Sequence, residues 1–270
     1  MELSVLGIVG SPRKNGLTAK VVQKTLEGVA QTGLKTEILY LSDFHIQPCR
    51  DCHPTLKCRR NDRCYHKDDF ATISRKIDEA CGLILGSAVY YGDVTRSVDN
   101  LMNKKVRHRK ERPREGLPGI GIAVAGGGGG GYASALRQIY HYFRIIGVRG
   151  LKPIPVTRFN LPSALDEAFQ AGISMASLIA KEEYLTGSQR TAAFLDLPIL
   201  EFDYLQERSY LVEQLIEGAQ REKPEESMEK VTAIYRKAEE LRAKRDKVEA
   251  FAALDEAYKL GTAVWNPERR

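Results

Sequence analysis

A chain of 270 residues, 43% of them hydrophobic, is long enough to bury one large α/β core, or one domain with an addition. No stretch approaches the roughly 20 apolar residues of a membrane span, and the opening MELSVLGIVGSPRK carries its basic residues after a short apolar run with no small-residue cleavage site following, so a cytoplasmic protein without a membrane partner is expected. The net charge of +6 is unevenly divided, +10 over residues 1–180 and −4 over 181–270.

Taken in chain order, strand-like and helix-like segments alternate. Leu3 to Gly10 is a short run rich in Val, Ile and Leu; Thr18 to Gly33 then places apolar residues at helical spacing and stops at glycine. Lys35 to Leu41 reads as a second strand, Ala71 to Gly82 as a helix, Leu83 to Val89 as a third strand and Val98 to Val106 as a helix. Gly119 to Gly126 is a fourth strand, Ser134 to Gly147 a helix, Gly150 to Val156 a fifth strand and Asp166 to Glu183 a closing helix. Five strands with intervening helices predict a parallel sheet covered on both faces and joined by right-handed crossovers.

The densest basic run, Lys104 to Arg114, could attract nucleic acid, an acidic protein or cofactor phosphates. No aromatic residues interleave with it as base stacking requires, so no nucleic-acid partner is expected and the run reads as a solvated helix end complementing the dipole.

Sheets of this kind take ligands at the carboxyl ends of their strands. The first such loop, GSPRKNGLT from Gly10 to Thr18, lacks both the Gly-x-Gly-x-x-Gly dinucleotide pattern and the Gly-Lys-Ser/Thr of a triphosphate loop, because Leu17 follows Gly16. It remains a basic, hydroxyl-bearing turn into a helix, suited to a dianionic monophosphate through backbone N–H groups, Ser11, Thr18 and Arg13. The loop after strand three, SAVYYG from Ser87 to Gly92, offers Tyr90 and Tyr91 to a flat ring and Gly92 for a tight turn. After strand four come six successive glycines and a tyrosine, Gly126 to Tyr132, which permit close approach of a ligand.

Together these three loops resemble the flavodoxin-like NAD(P)H-dependent FMN reductase family. GSPRKNGLT is similar to its Gly-Ser-Pro-Arg-x-x-Gly-x-Thr, with Leu17 where Asn or Ser is common; SAVYY is similar to Ser-Pro-Val-Tyr-aromatic, with Ala88 replacing proline. The resemblance covers roughly residues 1–180 and implies a flavodoxin-like five-stranded sheet binding FMN. By it, Ser11, Arg13, Asn15 and Thr18 hold the phosphate and Val89, Tyr90, Tyr91 and Gly92 line the isoalloxazine, with Gly16, Leu17, Ser87 and Ala88 also at the cofactor. Gly126, Gly127, Gly128, Gly129, Gly130, Gly131 and Tyr132 close over its other side. The resemblance assigns no side chain as nucleophile, acid or base, since the cofactor carries the chemistry.

Four of the five cysteines fall within sixteen residues, Cys49-x2-Cys52-x5-Cys58-x5-Cys64. In a reducing compartment such a group is more often metal-binding or catalytic than a disulfide knot. The iron–sulfur flavoprotein branch carries a compact cysteine insertion at this place, so the resemblance implies a 4Fe-4S cluster on Cys49, Cys52, Cys58 and Cys64. The five-residue second spacing departs from that branch's usual two, and a zinc site or no metal are the alternatives. His53 and His66 are the nearest substitute ligands, the surrounding arginines and lysines would offset a cluster's negative charge, and Cys81 reads as a buried apolar residue.

The implied function is an FMN-dependent redox protein passing electrons between a donor such as NAD(P)H or ferredoxin and an acceptor, small molecule or protein. A cluster-free NAD(P)H:quinone or FMN reductase and a non-enzymatic electron carrier or partner-docking scaffold are the rivals. A homodimer or homotetramer is implied, in which a cluster faces a neighbour's flavin. Division falls at 1–183 for the FMN-binding domain, with its insertion at 45–70, and 184–270 for a helical extension. There a shorter helix is expected over Glu201 to Gln220, and one long amphipathic helix after Pro224, with Val231, Ile234, Tyr235, Ala238, Leu241, Val248, Phe251 and Tyr258 on its stripe.

Overall fold

The computed structural model describes residues 4–50, 64, 66–108, 115–126, 130–183, 185, 187–222 and 228–265. Among these, six strands form one parallel sheet: β1 (Ser4–Val9), β2 (Lys35–Tyr40), β3 (Gly82–Ala88), β4 (Pro118–Ala125), β5 (Arg149–Gly150) and β6 (Ile154–Thr157). The order is β2-β1-β3-β4-β5, with β6 also on β4. The fold is thus the parallel sheet that the alternation predicted, and flavodoxin-like as the resemblance implied. The fifth strand differs: it is broken into β5 and β6 at Leu151–Pro153, where Pro153 has no N–H to give the ladder.

Between the strands run α1 (Leu17–Ala30), α2 (Phe70–Glu79), α3 (Arg96–Arg107), α4 (Tyr132–Ile145) and α5 (Leu161–Ala180). Both sheet faces are covered, which is why β1, β3 and β4 are buried nearly throughout instead of alternating with solvent. Leu6, Ile8, Leu83 and Leu85 face α2, α3 and α4 through Ile73, Ile77, Leu101, Leu136 and Phe143. Val5, Val9, Ile84, Ile122 and Val156 face α1 and α5 through Val22, Val29, Ala168 and Met175. Helices α1 and α5 touch backbone to backbone at Gly28 and Gly172. A Cβ on Gly28 would stand 2.1 Å from Phe169 O, and one on Gly172 2.1 Å from Thr25 O.

Beyond α5 the chain forms α6 (Gly187–Leu195), α7 (Tyr204–Glu222), α8 (Glu229–Ala243) and α9 (Lys247–Trp265). The single long helix expected after Pro224 is two helices. Arg245 takes φ +61°, Arg245 and Asp246 N–H return to the Arg242 and Leu241 carbonyls, and the Asp246 carboxylate accepts the Glu249 N–H at 3.2 Å. That is a Schellman stop followed at once by an N-cap, so α9 can fold back on α8 and α7. Leu211, Leu215, Val231, Ala238, Leu254 and Ala257 make the core of this bundle, and Phe159, at the end of β6, enters it against Tyr258 and Trp265. No described helix is long and apolar enough to cross a membrane.

The basic run also differs from expectation at its start. Lys104 and Lys105 are fully buried, not solvated: Lys104 pairs with Asp68, and Lys105 with Asp78 at 2.6 Å and the Ser74 hydroxyl at 2.8 Å. Residues 109–114 of the run lie outside the described residues.

Candidate functional site: a cleft at the carboxyl ends of three strands

The strand order reverses direction between β1 and β3, and the cleft lies there. The first loop leaves β1 held on both backbone groups of Gly10: its N–H donates to Gly86 O at 2.7 Å, and the Thr95 hydroxyl donates to its carbonyl at 2.6 Å. Ser11 Oγ accepts the Arg13 N–H at 3.2 Å, and Gly16 N–H closes the turn onto Arg13 O at 3.1 Å. Helix α1 then starts at Leu17 without a side-chain cap and without an acidic residue in its first turn. Its free N–H groups and the positive end of its dipole therefore face the cleft beside Arg13, an arrangement suited to an anion.

The second loop is a tight turn. Tyr90 and Asp93 exchange backbone hydrogen bonds at 3.0 Å, with Tyr91 at φ +51° and Gly92 at φ +75°, the signs of a type I′ turn. The turn throws the Tyr91 ring fully into solvent and leaves Tyr90 half-exposed at the cleft. The third loop, described at Gly126 and from Gly130 onward, ends with Gly131 at φ +98° as the residue before α4. Gly131 lies so close to the second loop that a Cβ there would stand 2.4 Å from Gly92 Cα, and the Ser134 hydroxyl donates to Gly92 O.

Between the three loops is a cavity of about 300 Å³, within the range of small-molecule sites. Its walls are Ser11, Arg13, Gly16, Leu17 and Thr18 from the first loop, Ala88, Val89 and Tyr90 from the second, and Val124 with Gly126 from β4 and its end. Ser11 and Thr18 are buried. Other sequence-predicted residues stand elsewhere. Asn15 is exposed and off the cavity wall. Ser87 is buried beneath it, donating to Ala88 O at 2.9 Å and accepting the Thr95 N–H at 3.0 Å, so it shapes the loop from behind. Tyr91 and Gly92 form the turn outside the wall, and Gly127, Gly128 and Gly129 lie outside the described residues. Tyr132 turns its ring away into the core against Tyr210, and its hydroxyl donates to Glu207 O at 2.7 Å. Burial and the nearby Glu207 push its ionisation far up, so it stays protonated.

Two site features were missed in the sequence. Val124 lines the cavity but is indistinguishable from any other strand residue. Glu207, on α7, reaches across to the third loop and accepts the Gly131 N–H at 2.6 Å and the Ala133 N–H at 3.0 Å. Nothing in a Glu-rich helical segment distinguishes it.

The cysteine insertion leaves and re-enters the fold at a clamped stalk. Asp68 accepts the Gln47 N–H at 2.8 Å and the Phe70 N–H at 3.2 Å, besides Lys104. His45 N–H donates to the Asp69 carboxylate at 2.7 Å, and Asn100 holds Ile46 O at 2.9 Å. Burial opposes ionisation of Asp68, but the hydrogen bonds from Lys104, Gln47 and Phe70 outweigh it and hold the carboxyl below its usual range. Cys49 and Cys64 are half-buried free thiols just outside this stalk, Cys64 packing against the core; Cys52, Cys58 and His53 lie outside the described residues. Burial, with the positive charges of Lys104 and Arg50, holds the His66 imidazole below its usual range, and Asp68 acts in the opposite sense. The half-buried free thiols of Cys49 and Cys64 are of the type that, as thiolates, ligate a metal or a cluster. Cys81 is fully buried, as expected.

With this geometry in place, the comparison with known proteins is direct. A model of the NADPH-dependent FMN reductase family matches residues 3–154, the span from β1 into β6 that carries all three loops. The chain belongs to that family. It is 34% identical over 143 residues to an iron–sulfur flavoprotein of Methanocaldococcus jannaschii, covering 53% of this chain and 72% of the relative. It is 29% identical over 147 residues to one of Methanosarcina thermophila, covering 54% and 75%. These place it in the iron–sulfur flavoprotein branch. Among solved structures, an NAD(P)H:quinone oxidoreductase from Methanothermobacter marburgensis superposes with a TM-score of 0.52 at 14% identity, over 65% of this chain and 98% of its own, a likeness of fold. Family membership makes the chain an FMN-dependent oxidoreductase. The family match ends at residue 154, so α5 to α9 lie outside it.

Proposed function

We propose that this oxidoreductase is a two-centre electron-transfer protein, with FMN in the cleft and a 4Fe-4S cluster on Cys49, Cys52, Cys58 and Cys64, passing electrons from a reduced donor such as NAD(P)H or ferredoxin to a small-molecule or protein acceptor. The observation that carries the flavin half is the cleft itself: an uncapped helix N-terminus with Arg13, Ser11 and Thr18 at one end, and a nonpolar wall of Val89, Tyr90 and Val124 beyond it. That pairing of an anion end with an apolar slot suits a molecule with a phosphate at one end and a flat ring at the other. When bound, FMN supplies the exchange between two-electron and one-electron chemistry. The chain's part is to hold the phosphate at α1, to flank the ring with Val89 and Tyr90, and to exclude water with the third loop.

The cluster half is supported by the stalk, by the two half-buried free thiols at its exits and by the branch's relatives, whose names are those of iron–sulfur flavoproteins. We further propose residues 1–183 as the FMN-binding domain and 184–270 as a helical extension, a homodimer or homotetramer, and a cytoplasmic location, where free thiols persist.

Anaerobic purification with flavin, iron, sulfide and zinc analysis tests the reading. The expected protein contains FMN together with iron and sulfide in equal amounts, and each Cys→Ala change at 49, 52, 58 or 64 removes most iron and sulfide while FMN stays. Zinc without sulfide would replace the cluster by a structural metal. Iron content indifferent to all four changes would leave a cluster-free flavin reductase.

A further inference from the structure

The helical extension reaches the cleft through one carboxylate. Glu207 is only 7% exposed, and one of its oxygens accepts two N–H groups at the start of α4, those of Gly131, the residue before the helix, and Ala133 in its first turn. The contact is reinforced from both sides. The Tyr132 hydroxyl donates to the Glu207 carbonyl, and Arg137 on α4 donates to Leu200 O at 2.7 Å and Phe202 O at 3.2 Å, fixing the approach to α7. A Cβ on Gly130 would stand 3.3 Å from Glu207 Cδ, so the carboxylate is packed on the loop as well as bonded to it.

Among the described residues, no other side chain caps α4. No side chain of its own N-terminal segment makes a cap hydrogen bond, and Gly131 at φ +98° has no side chain to hold its conformation. The conformation of Gly131 matters for the cleft because it packs on Gly92, and Ser134 bonds Gly92 O, so the start of α4 and the Tyr90–Asp93 turn are held against each other. Tyr90 of that turn lines the cavity.

We infer that Glu207 is a positioning residue for the flavin cleft: the extension, docked through it, sets Gly131 at the start of α4 and through Gly92 the Tyr90 wall, and so couples its own docking to retention of the flavin. The inference rests on the cleft being the FMN site. Coupling of this kind is reciprocal, so bound FMN should also protect the extension. The reach of the carboxylate matters here, not its charge alone. Glutamine keeps both the reach and an acceptor oxygen, whereas aspartate keeps the charge and falls short of the loop by a methylene.

The test is the FMN dissociation constant of the full-length chain, read by flavin fluorescence quenching, in the wild type and in Glu207→Ala, Glu207→Asp, Glu207→Gln and Asp255→Asn. Thermal midpoints of the FMN-free forms are measured alongside. Asp255→Asn breaks the Arg208 pair inside the bundle, at 2.6 Å, without touching the loop. The Ala and Asp variants are expected to bind FMN at least about ten-fold more weakly, as loss of charge-assisted hydrogen bonds implies, and Gln to stay within about three-fold of wild type. Asp255→Asn is expected to lower the midpoint and leave FMN affinity unchanged. Amide exchange at 204–222 should slow when FMN is added to the wild type and not when it is added to Glu207→Asp. Wild-type affinity in both the Ala and Asp variants would overturn the inference. So would equal weakening by Asp255→Asn at an equal fall in midpoint, which would mean that Glu207 acts only through bundle stability. A wild-type chain that binds no FMN would overturn the flavin reading itself, and this one with it.

Discussion

Replacing Asp68 by Asn leaves Lys104 as an uncompensated buried charge. Both side chains of the pair are 1% exposed, and both Asp68 oxygens are engaged: one serves Lys104 and the Gln47 N–H, the other the Phe70 N–H. A neutral hydrogen bond lost alone would cost about 0.5–1.5 kcal/mol, whereas breaking a buried ion pair from one side costs about 3–5 kcal/mol. The second figure applies because Lys104 is 1% exposed, and the face of the Phe70 ring, 5.5 Å away at its centroid, offsets only part of a buried charge. Against a domain stability of about 5–15 kcal/mol this is a large fraction. Urea unfolding should show the midpoint falling by about 2 M at a slope of about 2 kcal/mol per M. The double change Asp68→Asn with Lys104→Met should recover most of the loss, since it removes the buried charge while the Asn oxygen remains as an acceptor for a backbone N–H of the stalk. The pH dependence has a definite sign. The folded pKa of Asp68 is held below the unfolded value near 3.8, so its contribution is complete above that value and is lost as pH falls through the lower folded one. Asp68→Asn should therefore flatten the acid limb of the stability curve below about pH 4. A loss under about 1 kcal/mol for Asp68→Asn at pH 7 would refute the account of Lys104 as a buried cation dependent on this partner.

Arg13→Ala should weaken FMN binding about ten-fold with the thermal midpoint unchanged, checked by fluorescence titration, because it removes a charge at the cavity wall and no packing. Gly172→Ala should destabilise the fold by about 1–3 kcal/mol or more in urea, since its methyl would stand 2.1 Å from a backbone oxygen of α1 that no rotamer can move. Arg245→Gly should raise stability by about 1 kcal/mol, because Arg245 holds φ +61° at the Schellman position where glycine has no Cβ penalty; calorimetry of the two chains decides it.

What the sequence discloses here is what lies within one element and its flanking turn. The apolar runs of β1, β3 and β4 and the helical spacing of α1 and α4 give the alternating architecture, and the residues Ser11, Arg13, Thr18, Val89 and Tyr90 follow because loops after successive parallel strands must meet at one end of the sheet. What it conceals is set by partners distant in sequence. Lys104 begins a run that looks solvated, and its burial depends on Asp68, 36 residues away. The break between α8 and α9 did leave a local trace, Asp246-x-x-Glu249, a capping pattern in the middle of a continuous apolar stripe. The stripe outweighs it on paper because Leu241 and Val248 are seven residues apart and stay in phase across the turn.

Glu207 is the extreme case, with 76 residues between it and Gly131. It also explains why the glycine run could be placed in the cleft but not explained from the sequence. Six glycines between a buried strand and a helix have no intrinsic conformation, and a loop that must present one surface to a flat ring needs an outside constraint to fix it. The family match stops at residue 154, before the element that supplies this constraint. The glycine-rich third loop and the helical extension therefore meet at the start of α4, where Glu207 and the Leu200 and Phe202 carbonyls of the extension bind Gly131, Ala133 and Arg137 from across the fold.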